Sequence, residues 1–111
     1  MTAPMTSHPV AYSDPDAVDA ARRDQVWRAL YEAHFDAVYR LTRRLGVPGA
    51  DAEDVAQRIF LRAHDLLRGS DEILHPLAWL RAIAVRVVAE HHRFWRLRRL
   101  KAWLLETILE V

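Results

Sequence analysis

The sequence predicts an all-α protein: a compact three-helix bundle with a flexible N-terminal leader and an additional C-terminal helical segment. Three observations carry that prediction. Apolar residues recur at three- and four-residue spacing through most of the chain, no run alternates as a half-buried strand does, and Gly or Pro interrupts the helical pattern at only two internal places, Gly46–Pro48 and Gly69–Pro76. The 111 residues suit one domain with a single modest core. At 51% hydrophobic and 28% charged, the composition is that of a folded domain rather than a disordered one.

Residues 1–15 are polar and carry Pro4, Pro9 and Pro15, and read as the leader. From about Asp16 the pattern turns helical. Val26, Leu30, His34, Val38, Leu41 and Leu45 form one stripe, widened by Trp27, Tyr31 and Phe35. Gly46 suits the positive-φ position that ends a helix, and Pro48 blocks continuation. In the second helix Asp51 is placed to cap free N–H groups, with Glu53 and Asp54 as first-turn anions that complement the helix dipole. Val55, Ile59, Ala63 and Leu66, joined by Phe60 and Leu67, make its inward stripe, and Gly69 closes it.

The segment from Gly69 to His75 is a short loop with an acidic pair, and Pro76 fits the first turn of a third helix. There Leu77, Leu80, Ile83, Ala84, Val87, His91, Phe94 and Trp95 recur at helical spacing. No Gly or Pro follows, so this helix either runs long or breaks near Lys101. The domain proper is assigned to 16–100, and 101–111 to the start of a linker or an appended helix.

Charge is unevenly spread. Residues 1–80 hold nine Arg against twelve Asp and Glu, whereas residues 81–101 hold six Arg and Lys101 against Glu90 alone. An acidic body joined to one basic segment suggests two partners of opposite character. The absence of cysteine excludes disulfides, thiolate metal sites and a cysteine nucleophile, and fits a reducing, cytoplasmic setting. The start lacks the basic and apolar regions of a signal peptide, and no stretch approaches the ~18 apolar residues of a membrane span.

Little in the chain looks catalytic. There is no glycine-rich phosphate loop. Glu53 and Asp54 are neighbours on a helix and diverge by about 100°, so they do not converge on one substrate atom. His91 and His92 are adjacent, without further ligands at a metal-binding spacing, and read as buried or interfacial histidines. No enzyme, cofactor or metal is expected. What stands out is a basic helix interleaved with aromatics: Arg81, Arg86, Arg93, Arg96, Arg98 and Arg99 alongside Trp79, Phe94 and Trp95. Arginine neutralises phosphates, and an indole face stacks on an unpaired base, although the tryptophans taken alone read first as core residues.

The run Asp51-Ala52-Glu53-Asp54-Val55-Ala56-Gln57-Arg58-Ile59-Phe60-Leu61-Arg62-Ala63 resembles the "DAEDxxQxxFLRA" signature of region 2 of bacterial sigma factors of the extracytoplasmic-function (ECF) type, in the sigma-70 superfamily. Trp79-Leu80-Arg81-Ala82-Ile83-Ala84 is similar to the "WLxxIA" start of that domain's last helix. Leu30-Tyr31-Glu32 and Val38-Tyr39-Arg40 stand where the family has its "LY" and "VYR" pairs. Any one block is weak; their shared order and spacing over about residues 25–99 is specific.

The resemblance implies a transcription initiation factor domain that binds core RNA polymerase and recognises and melts the minus-ten promoter element. Carried over by position, Glu53, Asp54, Gln57, Arg58 and Leu61 would meet the β′ clamp helices of the polymerase, while Val55, Ile59 and Phe60 face the core. The loop from Gly69 to His75 would hold a base flipped out of the non-template strand. Trp79, Arg81, Arg86, Arg93, Arg96, Arg98 and Arg99 would meet promoter DNA. An anti-sigma factor is a further partner the resemblance implies, and a membrane is not. The alternative is a truncated sigma-like interaction module that binds polymerase or an anti-sigma factor without opening promoters; a third reading is a generic basic bundle that binds nucleic acid by charge.

Two features depart from the family pattern. Val85-Arg86 stands in place of the "rN" of an "ArN" triplet, and Glu90 in place of the following Asp, which bears on strand recognition more than on fold. Family members usually continue through a linker into a helix-turn-helix domain that reads the minus-thirty-five element. Ala102–Val111 is the expected beginning of such a linker, or a helix that packs on the domain or docks another protein.

Overall fold

The computed structural model describes residues 14–67 and 73–109. Within them lie three helices, α1 (Pro15–Arg44), α2 (Gly49–Leu66) and α3 (Pro76–Leu109), and each packs on the other two. Most of the expected leader (1–13) and much of the loop before α3 (68–72) lie outside the described residues.

α1 begins at Pro15, one residue earlier than expected. A proline at the first helical position gives up no hydrogen bond, and the Asp14 carboxylate accepts from the Asp16 N–H at 3.0 Å. The end of α1 is a Schellman closure. Gly46 has φ 96°, its N–H donates to the Arg43 carbonyl at 3.0 Å, and the Val47 N–H reaches back to the Thr42 carbonyl at 3.3 Å. Val47 is driven into the core as the chain turns. The Leu45 carbonyl, left over at this helix end, accepts from His92 Nε2 of α3 at 2.8 Å.

α2 starts at Gly49 behind Pro48, and no side chain caps it. Asp51 is therefore a first-turn anion rather than the cap, its N–H bonded to the Pro48 carbonyl at 2.9 Å. Glu53 and Asp54 move accordingly into the second turn. The reason lies in Pro48, whose extended backbone already aims the chain into the helix. Val55, Ile59, Phe60 and Ala63 are buried as their spacing predicts, together with Ala52 and Ala56. Leu66 is not: it is 51% exposed, because the helix ends there and Leu67, in extended backbone, turns into the core in its place.

The core is a single cluster centred on Phe60, which has no exposed surface and meets the rings of Tyr31 and Phe35 at 5.0 and 5.9 Å. Trp27 closes its edge and donates its indole N–H to the Phe60 carbonyl at 2.7 Å. Thr42 also lies fully buried, on the stripe continued from Val38; its hydroxyl donates to the Val38 carbonyl at 2.8 Å, which removes the cost of burying it.

α3 is one unbroken helix of 34 residues, about 51 Å long at 1.5 Å per residue. The described part of the expected C-terminal helical segment, 101–109, is helical and continues α3 without a break. Its buried side chains, Leu80, Ile83, Ala84, Val87, Val88 and His91, all belong to its first half. Every residue from Arg93 to Leu109 is exposed. No helix of the described residues is long and apolar enough to cross a membrane.

Candidate functional site

The second helix separates two stripes. Asp54, Gln57, Arg58 and Leu61 stand at i, i+3, i+4 and i+7 and are all exposed, on the side away from buried Val55, Ile59 and Phe60. Glu53 is exposed beside this stripe. The stripe forms one wall of a cleft of about 420 Å³, which Asp51 and Val55 complete on α2. His91, Phe94 and Trp95 of α3 form the opposite wall. The cleft is lined by apolar and charged side chains together, and Leu61 and Phe94 in its walls are 60% and 57% exposed.

Phe94 and Trp95 line this cleft with α2 and remain exposed. Their rings meet edge to face at 5.8 Å, and the Arg98 guanidinium lies 5.2 Å from the Trp95 ring centre. Arg98 thereby belongs to this side of the helix as well. His91 is buried at the back of the cleft; desolvation, aided by nearby Arg58, pushes its pKa below the usual imidazole range. Its neighbour His92 is half-buried and spent on the Leu45 carbonyl. His34 is half-buried. Among the described residues no group of three or more His, Cys, Asp or Glu is placed to hold a metal ion.

The remaining basic residues of α3 spread over its solvent-facing side, with Arg81 and Arg86 at the two edges. Arg86 lies on the α2 side, lining a cleft of about 270 Å³ with Arg62, Leu66, Trp79, Ala82 and Ile83. Arg62 reaches across to Glu90 at 3.4 Å, so the acid that replaces the family's Asp is tied to α2. That pair is half exposed on both sides and contributes at most about 1 kcal/mol. Arg81 lies on the α1 side. Arg93, Arg96 and Arg99 are exposed on the half of α3 that extends beyond the core. Between Arg81 and Arg86 the solvent-facing stripe is Ala78, Ala82, Val85 and Ala89, all exposed and small enough for a backbone to approach.

Trp79 is half-buried against the core and shared between two clefts. One is the cleft it lines with Arg86. The other, of about 620 Å³, opens where the chain enters α3 and is lined by Leu66, Leu67, Ile73, Leu74, His75 and Ala78 besides Trp79. On the far side of the bundle, His64 of α2 donates to the Asp24 carboxylate of α1 at 2.8 Å, and this hydrogen bond holds the Asp24 pKa below the usual carboxylate range.

Sequence reasoning missed one group altogether. Arg40, Arg43 and Arg44 of α1 converge with Arg81 of α3 around a cleft of about 390 Å³, which Ala37 completes. The signal was present as an i, i+3, i+4 arginine triplet, but its meeting with Arg81 depends on how α1 and α3 cross.

The comparisons with known proteins agree with this architecture. The family model for Sigma-70 region 2 matches residues 30–97. The ECF RNA polymerase sigma factor SigL of Mycobacterium tuberculosis, strain H37Rv, is 34% identical over 80 residues, which cover 71% of this chain and 45% of SigL. SigL of the Erdman and CDC 1551 strains matches with the same figures. The chain thus spans about half the length of the curated relatives it matches. No solved structure matches it.

Proposed function

The chain belongs to the Sigma-70 region 2 family, and from that premise we propose that it acts in transcription initiation, docking on core RNA polymerase through α2 and binding the opened non-template strand of the minus-ten element through α3. The observation that carries the proposal is the separation of two exposed polar surfaces on one small core. The stripe Asp54, Gln57, Arg58 and Leu61 lies on α2, and Arg86, Arg93 and Arg96 lie on α3. A protein partner and a nucleic acid can then be held at once.

The physics of the task requires this arrangement. Opening a promoter breaks base stacking at about 1.4 kcal/mol per step, and the domain forms no covalent bond, so the opened strand must be bound better than the duplex. The cleft beside Trp79 and His75 suits one extruded base, with the indole as its stacking face. Arginines along α3 then neutralise the phosphates on either side. An acidic body makes the free domain a weak DNA binder, so polymerase attachment comes first and the protein works in the cytoplasm, where polymerase is.

Capture of core polymerase on the immobilised chain tests the docking half. Asp54→Arg reverses a charge on the α2 stripe at an exposed position and is expected to abolish capture; capture at wild-type level would refute the assignment. Strand preference tests the second half. With polymerase attached, single-stranded non-template DNA is expected to bind more tightly than the same duplex, and binding to weaken as salt rises. Polymerase capture without strand preference would favour the interaction module that does not open promoters.

A further inference from the structure

We propose that Arg40, Arg43, Arg44 and Arg81 form a phosphate-binding cleft that takes the nucleic-acid backbone where it leaves α3, so that the first helix is part of the strand-binding surface. The inference rests on the strand-binding reading above and extends it to residues outside α3. Four arginines from two helices line one cleft of about 390 Å³, and no carboxylate lines it with them. Among the described residues none of the four is in an ion pair; the two pairs present are Arg62–Glu90 and His64–Asp24. Asp36 stands one turn before Arg40, at the spacing at which a helical pair would form, and makes none.

Complementing the α1 dipole accounts for part of the cluster only. Arg43 and Arg44 lie in the last turn, where cations are favoured, but Arg40 is a turn earlier and Arg81 comes from another helix. The backbone also makes room for the group. Gly49 has no side chain where the Arg43 guanidinium passes, so the end of Arg43 lies over the start of α2 without having to shift. Like charges gathered without a counter-charge are stabilised by an anion, and the planar fork of arginine fits phosphate oxygens in pairs. A phosphodiester chain is favoured over a free phosphate by what adjoins the cleft. Arg81 and Arg86 flank the exposed stripe Ala78, Ala82, Val85 and Ala89, which runs along α3 and leaves a path without bulky side chains between two sets of arginines.

The test uses the chain bound to core RNA polymerase and fluorescence anisotropy of labelled single-stranded DNA over a range of salt. The variants are Arg40→Ala with Arg44→Ala, Arg40→Lys with Arg44→Lys, and, for comparison, Arg93→Ala with Arg96→Ala. Removing two phosphate contacts is expected to reduce the slope of log affinity against log salt by about 1.4, at about 0.7 per contact on a single strand. The loss should be equal for strands of different sequence, because phosphate contacts carry no base identity. The lysine pair should keep the slope. A slope unchanged in the alanine pair overturns the cleft. If the Arg93 and Arg96 pair loses affinity while the Arg40 and Arg44 pair does not, the cleft falls and the function stands. A wild-type complex that captures polymerase but binds no strand overturns both. Strand displacement by millimolar inorganic phosphate at constant ionic strength, present in the wild type and absent in the alanine pair, would support the same cleft with free phosphate as its ligand.

Discussion

Leu61 offers the sharpest separation of docking from folding. It is a large apolar side chain on a stripe of polar ones, 60% exposed, in the wall of the α2–α3 cleft. Fully burying a leucine contributes about 1.5–3 kcal/mol, so a partner that covers the exposed portion gains roughly 1–2 kcal/mol from it. Leu61→Ala should therefore raise the Kd for core polymerase about 5- to 30-fold. Little of the side chain contributes to the fold, and stability should change by no more than about 0.5 kcal/mol. Leu66→Ala is the matched control: the same substitution on the same helix, at a position 51% exposed that lines the clefts beside Trp79 instead. Surface plasmon resonance of immobilised core polymerase against the two variants, with thermal melts of each, reads both quantities. Equal affinity for wild type and Leu61→Ala, or an equal loss for both leucines, would refute the docking surface drawn here.

Two further outcomes follow from the core. Phe60→Ala removes a ring with no exposed surface from between Tyr31 and Phe35, and should cost about 3–5 kcal/mol. Against a total of about 5–15 kcal/mol for a small domain this should lower the urea midpoint severely or abolish the cooperative transition; a loss below about 1 kcal/mol would mean the ring is not at the centre of the packing. His91 adds a pH dependence. Its folded pKa lies below that of the unfolded chain, so the unfolded state takes up the proton first and acidification favours unfolding. Its contribution is complete above the ordinary histidine value of about 6.5 and is lost as pH falls through the lower folded value. Urea midpoints of wild type and His91→Gln compared between about pH 7.5 and about pH 5 should diverge at the high end and converge at the low end, and parallel curves would exclude the effect.

Much of the molecule was legible because its signals are local. Gly46 and Pro48 mark the α1–α2 turn whatever surrounds them, and the period of Val55, Ile59, Phe60 and Ala63 selects the buried face of α2 without reference to its partners. What failed to read through depends on neighbours. Thr42 occupies a stripe position, but only the Val38 carbonyl behind it makes a hydroxyl acceptable there. Leu66 satisfies the period yet lies where the helix stops. That Phe94 and Trp95 line a cleft with α2 depends on how α2 and α3 pack. The Arg40, Arg43, Arg44 and Arg81 cluster joins residues some forty positions apart, which no window along the chain can bring together.

Within α3 the apolar period runs on to Leu109, but the neighbours do not. As far as His91 the backbone is shielded by α1 and α2; past it, about five turns hold together by their own amide bonds, without the tertiary packing that supplies most of a helix's stability in proteins. Amide hydrogen exchange should therefore be graded along a single uninterrupted rod, slow at Leu80–His91 and faster by orders of magnitude toward Ile108. Whatever settles on that distal stretch would slow its exchange without altering the shape of the helix, making those amides a built-in reporter of occupancy.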